Sequence, residues 1–407
     1  MKISTIGLAL AMTLVAPSVG ALNQEIRALF TPDPSQPQKN VFINKTPNSG
    51  YCATYPEQCQ DNNMFSIRLP VRFGPRANVE RLESIPVKVP ANWRQLTVTN
   101  RDTQETETVE VRITGVGSEY MLSHTAASLV GVTDILEGHQ KLWEGSSWVY
   151  APPPCQYSGV GAYTPYSYRF FWKTPILNGP CYRRPYFAIP YMSFETLDIA
   201  YELRTPNPLG MSSGLYTGSM SYRVGPGADF DLGSMPANDS DLTLDFVLDV
   251  QHTLKVDIPP GGEKVRLTPA GGWQSWLQEG RKPVRLFRDQ TFNISASTRF
   301  KMHLECEIAI RPFECMIKDH TTGRAVEVQV STTLPNGLTD LAGQPVKQRR
   351  LRVGAENAQQ FQPSFYMDRR PGVLHFEIPS IHMGFMLSPG QAGYYAGNVT
   401  VIWDSDL

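Results

Sequence analysis

Several short patterns in the sequence carry residue types that can do chemistry. Gly210-Met211-Ser212-Ser213-Gly214 fits the G-x-S-x-G pattern of a hydrolase nucleophile turn. That turn needs a strand before the serine and a helix after it. Here Pro206 and Pro208 precede it, and the stretch that follows, residues 215–224, alternates like a strand. His303-x-Glu305 and His375-x-Glu377 place an imidazole and a carboxylate two residues apart, on one face of a strand. Metal or acid-base work is one reading of these pairs, and solvated cross-strand charge accounts for them equally well. No H-E-x-x-H, P-loop or dinucleotide fingerprint stands after a suitable strand. The sequence therefore predicts no catalytic residue, no cofactor and no metal site.

The six cysteines, Cys52, Cys59, Cys155, Cys181, Cys306 and Cys315, fall into three pairs that are close in sequence. Zinc sites call for C-x₂₋₄-C or paired histidines, and neither accompanies these residues. An even number in an exported chain implies disulfides, and proximity predicts Cys52 with Cys59, Cys155 with Cys181 and Cys306 with Cys315. Export is itself read from the N-terminus. Lys2 is followed by an apolar run over residues 3–15, then Pro17 and the small residues Ser18, Val19, Gly20 and Ala21. Such a run is short for a membrane span, which needs about 20 residues, and it suits a signal peptide over 1–21; an N-terminal anchor is the alternative.

The largest concentration of potential ligand-binding residues lies between Tyr150 and Tyr191, rich in Tyr, Pro, Gly and Arg. Flat aromatic faces and planar guanidinium forks suit the apolar faces and polar edges of sugars. Arg183 and Arg184 are the candidates for polar or acidic sugar contacts, and Tyr166, Tyr168 and Trp172 for stacking. The same rings would serve equally as the core of a sandwich edge. The region reads as a large irregular loop stapled by Cys155 and Cys181.

What must position these residues is a β framework. Residues 64–73, 96–99, 109–113, 242–248, 254–258, 326–330, 374–378 and 399–403 alternate apolar and polar side chains with period two. The polar stretch from Asn100 to Glu105 joins two of these segments as a hairpin. Only residues 118–139 carry a helical period, enough for one or two short helices. Many short strands with Gly and Pro turns argue for an all-β protein of two sandwich domains joined near residues 249–252: an N-terminal one over 22–251 and a C-terminal one over 252–407. The 407 residues carry 37 basic and 38 acidic side chains, so no global field gathers nucleic acid. At 41% hydrophobic residues, the chain also falls outside the disordered class.

Taken in order, these passages resemble the two-domain tip adhesins of chaperone-usher fimbriae, in particular the alternate clade of CfaE-like and CblD-like pilus initiators. The likeness rests on the early pair Cys52 and Cys59, and on the second pair followed by Arg183 and Arg184. It rests also on Leu209-Gly210 leading into 215–224, on the join at 248–252, on residues 267–272 and on the ending 389–399. The Cys155 to Cys181 interval is longer than in that group, and the group's receptor-contact arginines have no match here, so no receptor is carried over.

The resemblance implies an immunoglobulin-like N-terminal adhesin domain that binds a host-cell glycan or glycoprotein receptor, and a C-terminal pilin domain that lacks its last strand. A periplasmic chaperone would fill the resulting groove first. At the outer-membrane usher, a strand from the major pilin subunit would then replace it. Val399, Val401 and Trp403 are expected to line that groove. The protein would travel through the periplasm to the cell surface and sit at the fimbrium tip, as an adhesin and not an enzyme. Two other readings stay open: a non-adhesive minor pilin that only initiates assembly, and an exported sandwich-fold polysaccharide hydrolase, which requires two carboxylates about 5–10 Å apart in one cleft.

Overall fold

The computed structural model describes residues 22–405 apart from 62, 159–160, 177–178, 312–313 and 390–392. The expected signal peptide, and Gly390, Gln391 and Ala392 of the C-terminal passage, lie outside the described residues. The chain is all-β apart from short helices, and its sheets form two sandwich domains with separate cores. One core gathers buried residues from Ile26 to Val250, the other from Phe292 to Phe376.

In the first domain, Leu22–Phe30 runs parallel to Asp241–Val250 over its whole length and buries Ile26, Ala28 and Phe30. Asp241–Val250 pairs in turn with Gly214–Arg223, and that strand with Arg94–Asn100. Arg94–Asn100 and Thr106–Leu122 form the expected hairpin. Thr106–Leu122 is the spine: its 17 residues span roughly 50 Å at about 3.3 Å per residue. Leu197–Arg204 and Ser167–Lys173 pair along it, and Ile189–Phe194 pairs at its far end.

Spine residues without side chains make room for rings. A Cβ on Gly117 would lie 2.5 Å from the Phe171 ring and 2.6 Å from the Phe170 carbonyl oxygen. Gly117→Ala is accordingly expected to lower unfolding stability by about 1–3 kcal/mol, the usual cost of overpacking, which denaturant titration would read.

Several sequence expectations are corrected. The strand expected over 64–73 is broken at Pro70, leaving Ile67–Leu69 and the start of Phe73–Val79. Proline has no N–H for the ladder and so interrupts pairing there. Residues 118–122 continue the spine, and the two helices follow as Ala126–Val130 and Ile135–Leu142. The region between Tyr150 and Tyr191 is not one irregular loop: it holds Ser167–Lys173, Cys181–Arg183 and the start of Ile189–Phe194.

The three expected cysteine pairs come to disulfide distance, with Cα separations of 5.5 Å for Cys52–Cys59, 5.8 Å for Cys155–Cys181 and 5.6 Å for Cys306–Cys315. The first ties the short helices Tyr51–Thr54 and Pro56–Asp61, which cover Phe171 on the outer face of the sheet. The last joins a strand from each sheet of the second domain.

In that second domain one sheet runs Leu254–Asp257, Leu286–Ala296, Met367–Ile378, Ala325–Thr333, Glu314–Asp319, Ile308–Arg311. The other runs Leu338–Asp340, Gln359–Pro363, Phe300–Cys306, Val399–Ser405. The final strand is thus an edge. It pairs antiparallel with Phe300–Cys306, and among the described residues nothing pairs with its other side. Val399, Val401 and Trp403 pack against the core yet stay only half-buried, as do Leu254, Val256, Val265 and Leu267 from the start of the domain. The Trp403 indole Nε1 is buried without a hydrogen-bond partner.

Candidate functional site

The spine fixes two ends. Its Thr106 end adjoins the strands that meet Asp241–Val250 near the inter-domain join, because Thr99 pairs with Thr106, Asn100 with Tyr216 and Gly214 with Val250. The Leu122 end is therefore the far end of the domain, capped by the two helices. Each helix is started by its own side chain: Thr125 Oγ1 accepts from Ser128 N at 3.1 Å, and Asp134 Oδ1 from Glu137 N at 2.7 Å. Gly131, left-handed at φ 74°, ends the first.

The second helix turns His139 inward, where it is fully buried. Its Nε2 lies 2.8 Å from the Thr164 carbonyl, which can only accept, so Nε2 carries the proton. Nδ1 then accepts from the Tyr120 hydroxyl at 2.7 Å, and that hydroxyl accepts from Trp143 Nε1 at 3.0 Å. Trp143, Trp148 and Trp172 follow with ring centroids 5.1 and 5.3 Å apart along the series.

Burial lowers the His139 pKa from the ordinary value, with the bond to Thr164 working weakly the other way. A depressed histidine pKa means the unfolded chain binds the proton more readily. The stability from this site is complete above the unfolded value of about 6.5 and is lost as pH falls below it. Thermal unfolding of wild type should decline more steeply between about pH 7 and pH 5 than that of His139→Gln. Equal slopes would refute the assignment.

Arg183 sits beneath the same cap. Only 2% of it is exposed, and its guanidinium lies over the Trp148 and Trp172 rings. It donates to the carbonyls of Glu144 and Tyr150, of Ser147 at 2.9 Å and of Ser146 at 3.3 Å. Gly145 and Ser146 both take positive φ, which curls this loop so that its carbonyls converge. Burial pulls the Arg183 pKa down to about 10, still far above neutrality, so the cation persists.

These placements divide the five residues expected to bind a sugar. Arg183, Tyr168 (2% exposed) and Trp172 (fully buried) belong to the core and offer no face to a ligand. Tyr168 and Trp172 lie on the core-facing side of a strand that is covered on both faces, and Arg183 on the buried face of Cys181–Arg183. Tyr166 (46% exposed) and Arg184 remain at the surface. Tyr166 gains a companion that sequence reasoning left out. Its carbonyl accepts from Leu122 N and the Tyr191 carbonyl from Ser123 N, so these two tyrosines flank the end of the spine. Tyr186 and Phe187 are also exposed, beside a segment zipped to the helical cap through Tyr186 N to Leu142 O and Glu144 N to Arg184 O. Arg184 Nε donates to Ser84 Oγ at 2.8 Å, and Nη1 lies 3.7 Å from Glu144. The far end is thus an exposed aromatic surface on a rigid buried base.

The other chemical patterns resolve as structure. Ser212 follows a 3₁₀ turn and precedes a strand, so the nucleophile turn is absent. His375 is fixed between Asp289 and Thr333 at 2.8 Å each, and Glu377 pairs with Arg285 at 2.7 Å. His303 is buried, unlike the exposed Glu305. No group of three or more His, Cys, Asp or Glu able to hold a metal occurs among the described residues. A shallow cleft of about 410 Å³ holds Glu107 and Glu110. Glu107 pairs opposite buried Val98 and Glu110 opposite exposed Gln95, so the two carboxylates leave opposite faces of their strand.

No family model matches the chain, and no curated protein does. Among solved structures it is similar to CfaE, the adhesive subunit of CFA/I fimbria of enterotoxigenic Escherichia coli. Identity there is 9%, over 94% of this chain and 92% of that one, at a TM-score of 0.26. A chaperone-tip adhesin complex of CFA/I fimbriae matches at 10% identity over 95% and 97%, also at 0.26. The CsuC-CsuE chaperone-tip adhesion subunit complex from archaic chaperone-usher Csu pili of Acinetobacter baumannii matches at 10% over 82% and 91%, at 0.21.

Proposed function

We propose that this chain is the tip adhesin of a chaperone-usher fimbria. Its C-terminal domain accepts a strand from a periplasmic chaperone and then from a pilin subunit at the outer-membrane usher, and the far end of its N-terminal domain binds a host-cell glycan. The observation that carries the reading is the open edge of Val399–Ser405. A seven-stranded immunoglobulin sandwich places its last strand beside the penultimate one, in a three-stranded sheet with the strand beyond. Here the last described strand occupies the penultimate position, next to Phe300–Cys306, and its outer side is open. Its half-buried Val399, Val401 and Trp403, with Leu254, Val256, Val265 and Leu267, supply apolar lining for a donated strand. Residues 22–30, by contrast, are held in the first domain's sheet and core, so this segment is not free to complete another subunit. That arrangement suits a subunit at which a fibre begins.

Glycan binding at the far end is supported by the exposed rings of Tyr166 and Tyr191 flanking the end of the spine, and by exposed Tyr186 and Phe187 following Arg184 in the chain. The test uses a glycan array and adhesion of cells bearing the fimbria. Tyr166→Ala combined with Arg184→Ala should reduce binding at least tenfold while moving the unfolding midpoint little. Unchanged adhesion would remove the surface from consideration.

A further inference from the structure

Only three residues separate the last strand of the first domain, which ends at Val250, from the first strand of the second, which begins at Leu254. The middle one, His252, touches both domains. Its Nε2 lies 2.8 Å from the Met211 carbonyl of the first domain, and its Nδ1 3.1 Å from Ser297 Oγ of the second. Its ring meets the Phe30 ring edge-on at 5.6 Å.

The protons of this joint have one consistent arrangement. A carbonyl only accepts, so Nε2 carries the hydrogen and Nδ1 of the neutral ring is bare. Ser297 is fully buried, and its Oγ also lies 2.8 Å from Thr253 N, which only donates. The hydroxyl therefore accepts from Thr253 and gives its own proton to His252 Nδ1.

We propose that His252 is a latch that holds the two domains in one orientation while its imidazole is neutral and releases them when it gains a second proton. A proton on Nδ1 would face the Ser297 oxygen and force that hydroxyl to turn its hydrogen away from His252, the acceptor it has here. The charged groups on the surrounding elements are Arg299 on the Ser297 turn, Arg101, Asp102 and Glu105 on the hairpin turn of the first domain, and Asp249, which takes the Gln251 amide at 2.8 Å. Glu105 is already committed to the Tyr216 hydroxyl at 2.6 Å and Ser212 N at 3.0 Å. Burial pushes its carboxyl up, but those bonds and Arg299 bring it below its ordinary range, so it stays ionised in mild acid.

Burial likewise lowers the His252 pKa, against the opposing pull of the Met211 and Pro208 carbonyls. Opening the joint returns the ring to water and to about 6.5. The closed orientation is thus fully favoured above that pH and loses ground as pH falls below it.

Small-angle scattering of the full chain with a donor strand fused after its last residue, which keeps it monomeric, tests this at about pH 7.5 and about pH 5, with circular dichroism as a check on folding. Wild type should give one narrow distance distribution at the higher pH and a broader, longer one at the lower. His252→Ala should be broad at both. His252→Gln keeps a donor toward Met211 without titrating, and should keep a single distribution at both. The proposal is overturned if wild type is identical at the two values, if His252→Ala matches wild type near neutrality, or if His252→Gln responds to acid as wild type does.

Discussion

Arg183→Ala should destabilise the N-terminal domain by about 3–5 kcal/mol, while Arg184→Ala, one residue along, should change stability by no more than about 0.5 kcal/mol. The difference follows from where each guanidinium lies. Arg183 is buried and answers carbonyls of Glu144, Ser146, Ser147 and Tyr150 on one loop. Truncation leaves those oxygens without their donor and opens a void against Trp148 and Trp172. Arginine-to-lysine should recover only part of the loss, since an ammonium lacks the planar fork that reaches several carbonyls at once. Arg184 is about half exposed, and its contacts to Ser84 and Glu144 compete with water. Urea unfolding followed by tryptophan fluorescence would measure all three variants. Equal effects at 183 and 184 would contradict the placement of the two side chains.

This pair of neighbours also shows what the sequence could and could not reveal. Strands with one wet face declared themselves: residues 109–113, 242–248 and 399–403 alternate, and each lies in a strand. Ser167–Lys173 did not, because both of its faces are covered. Phe170 and Trp172 enter the sandwich core while Phe171 lies under the Tyr51 ring, 5.1 Å between centroids. A strand buried on both sides has no period of two to find, and its aromatic composition resembles a binding loop. Tyr191 is, in the sequence, one aromatic among many. Its place beside Tyr166 depends on strand pairing with residues near 122, some 70 positions earlier in the chain. The carbonyls that hold Arg183 come from residues more than 30 positions away, and no local pattern announces such contacts.

A donated strand should have the largest effect of all. Without it, the edge strand Val399–Ser405 keeps one side unpaired among the described residues, and the half-buried apolar side chains at the margin of the core stay partly wet. An open edge of this kind is a template for pairing with other chains, so the protein alone should aggregate or occupy the groove with a second copy. Filling the groove with a strand that covers three or four apolar side chains should add at least several kcal/mol, at about 1.5–3 kcal/mol for each large side chain buried. Trp403 should report the change directly: it packs edge-on to Phe292 at 5.7 Å between ring centroids, at the margin of the core.

The decisive measurement is the solution state and unfolding midpoint of the C-terminal domain from about residue 252 onward, expressed alone and with an alternating apolar donor strand fused after its last residue. The tip-subunit account predicts aggregation or poor cooperativity for the unfused domain, and a soluble monomer with a midpoint at least about 10 °C higher for the fused one, the shift expected for several kcal/mol in a domain of this size. A soluble, monomeric, cooperatively folded unfused domain whose midpoint the fused strand leaves unchanged would contradict it.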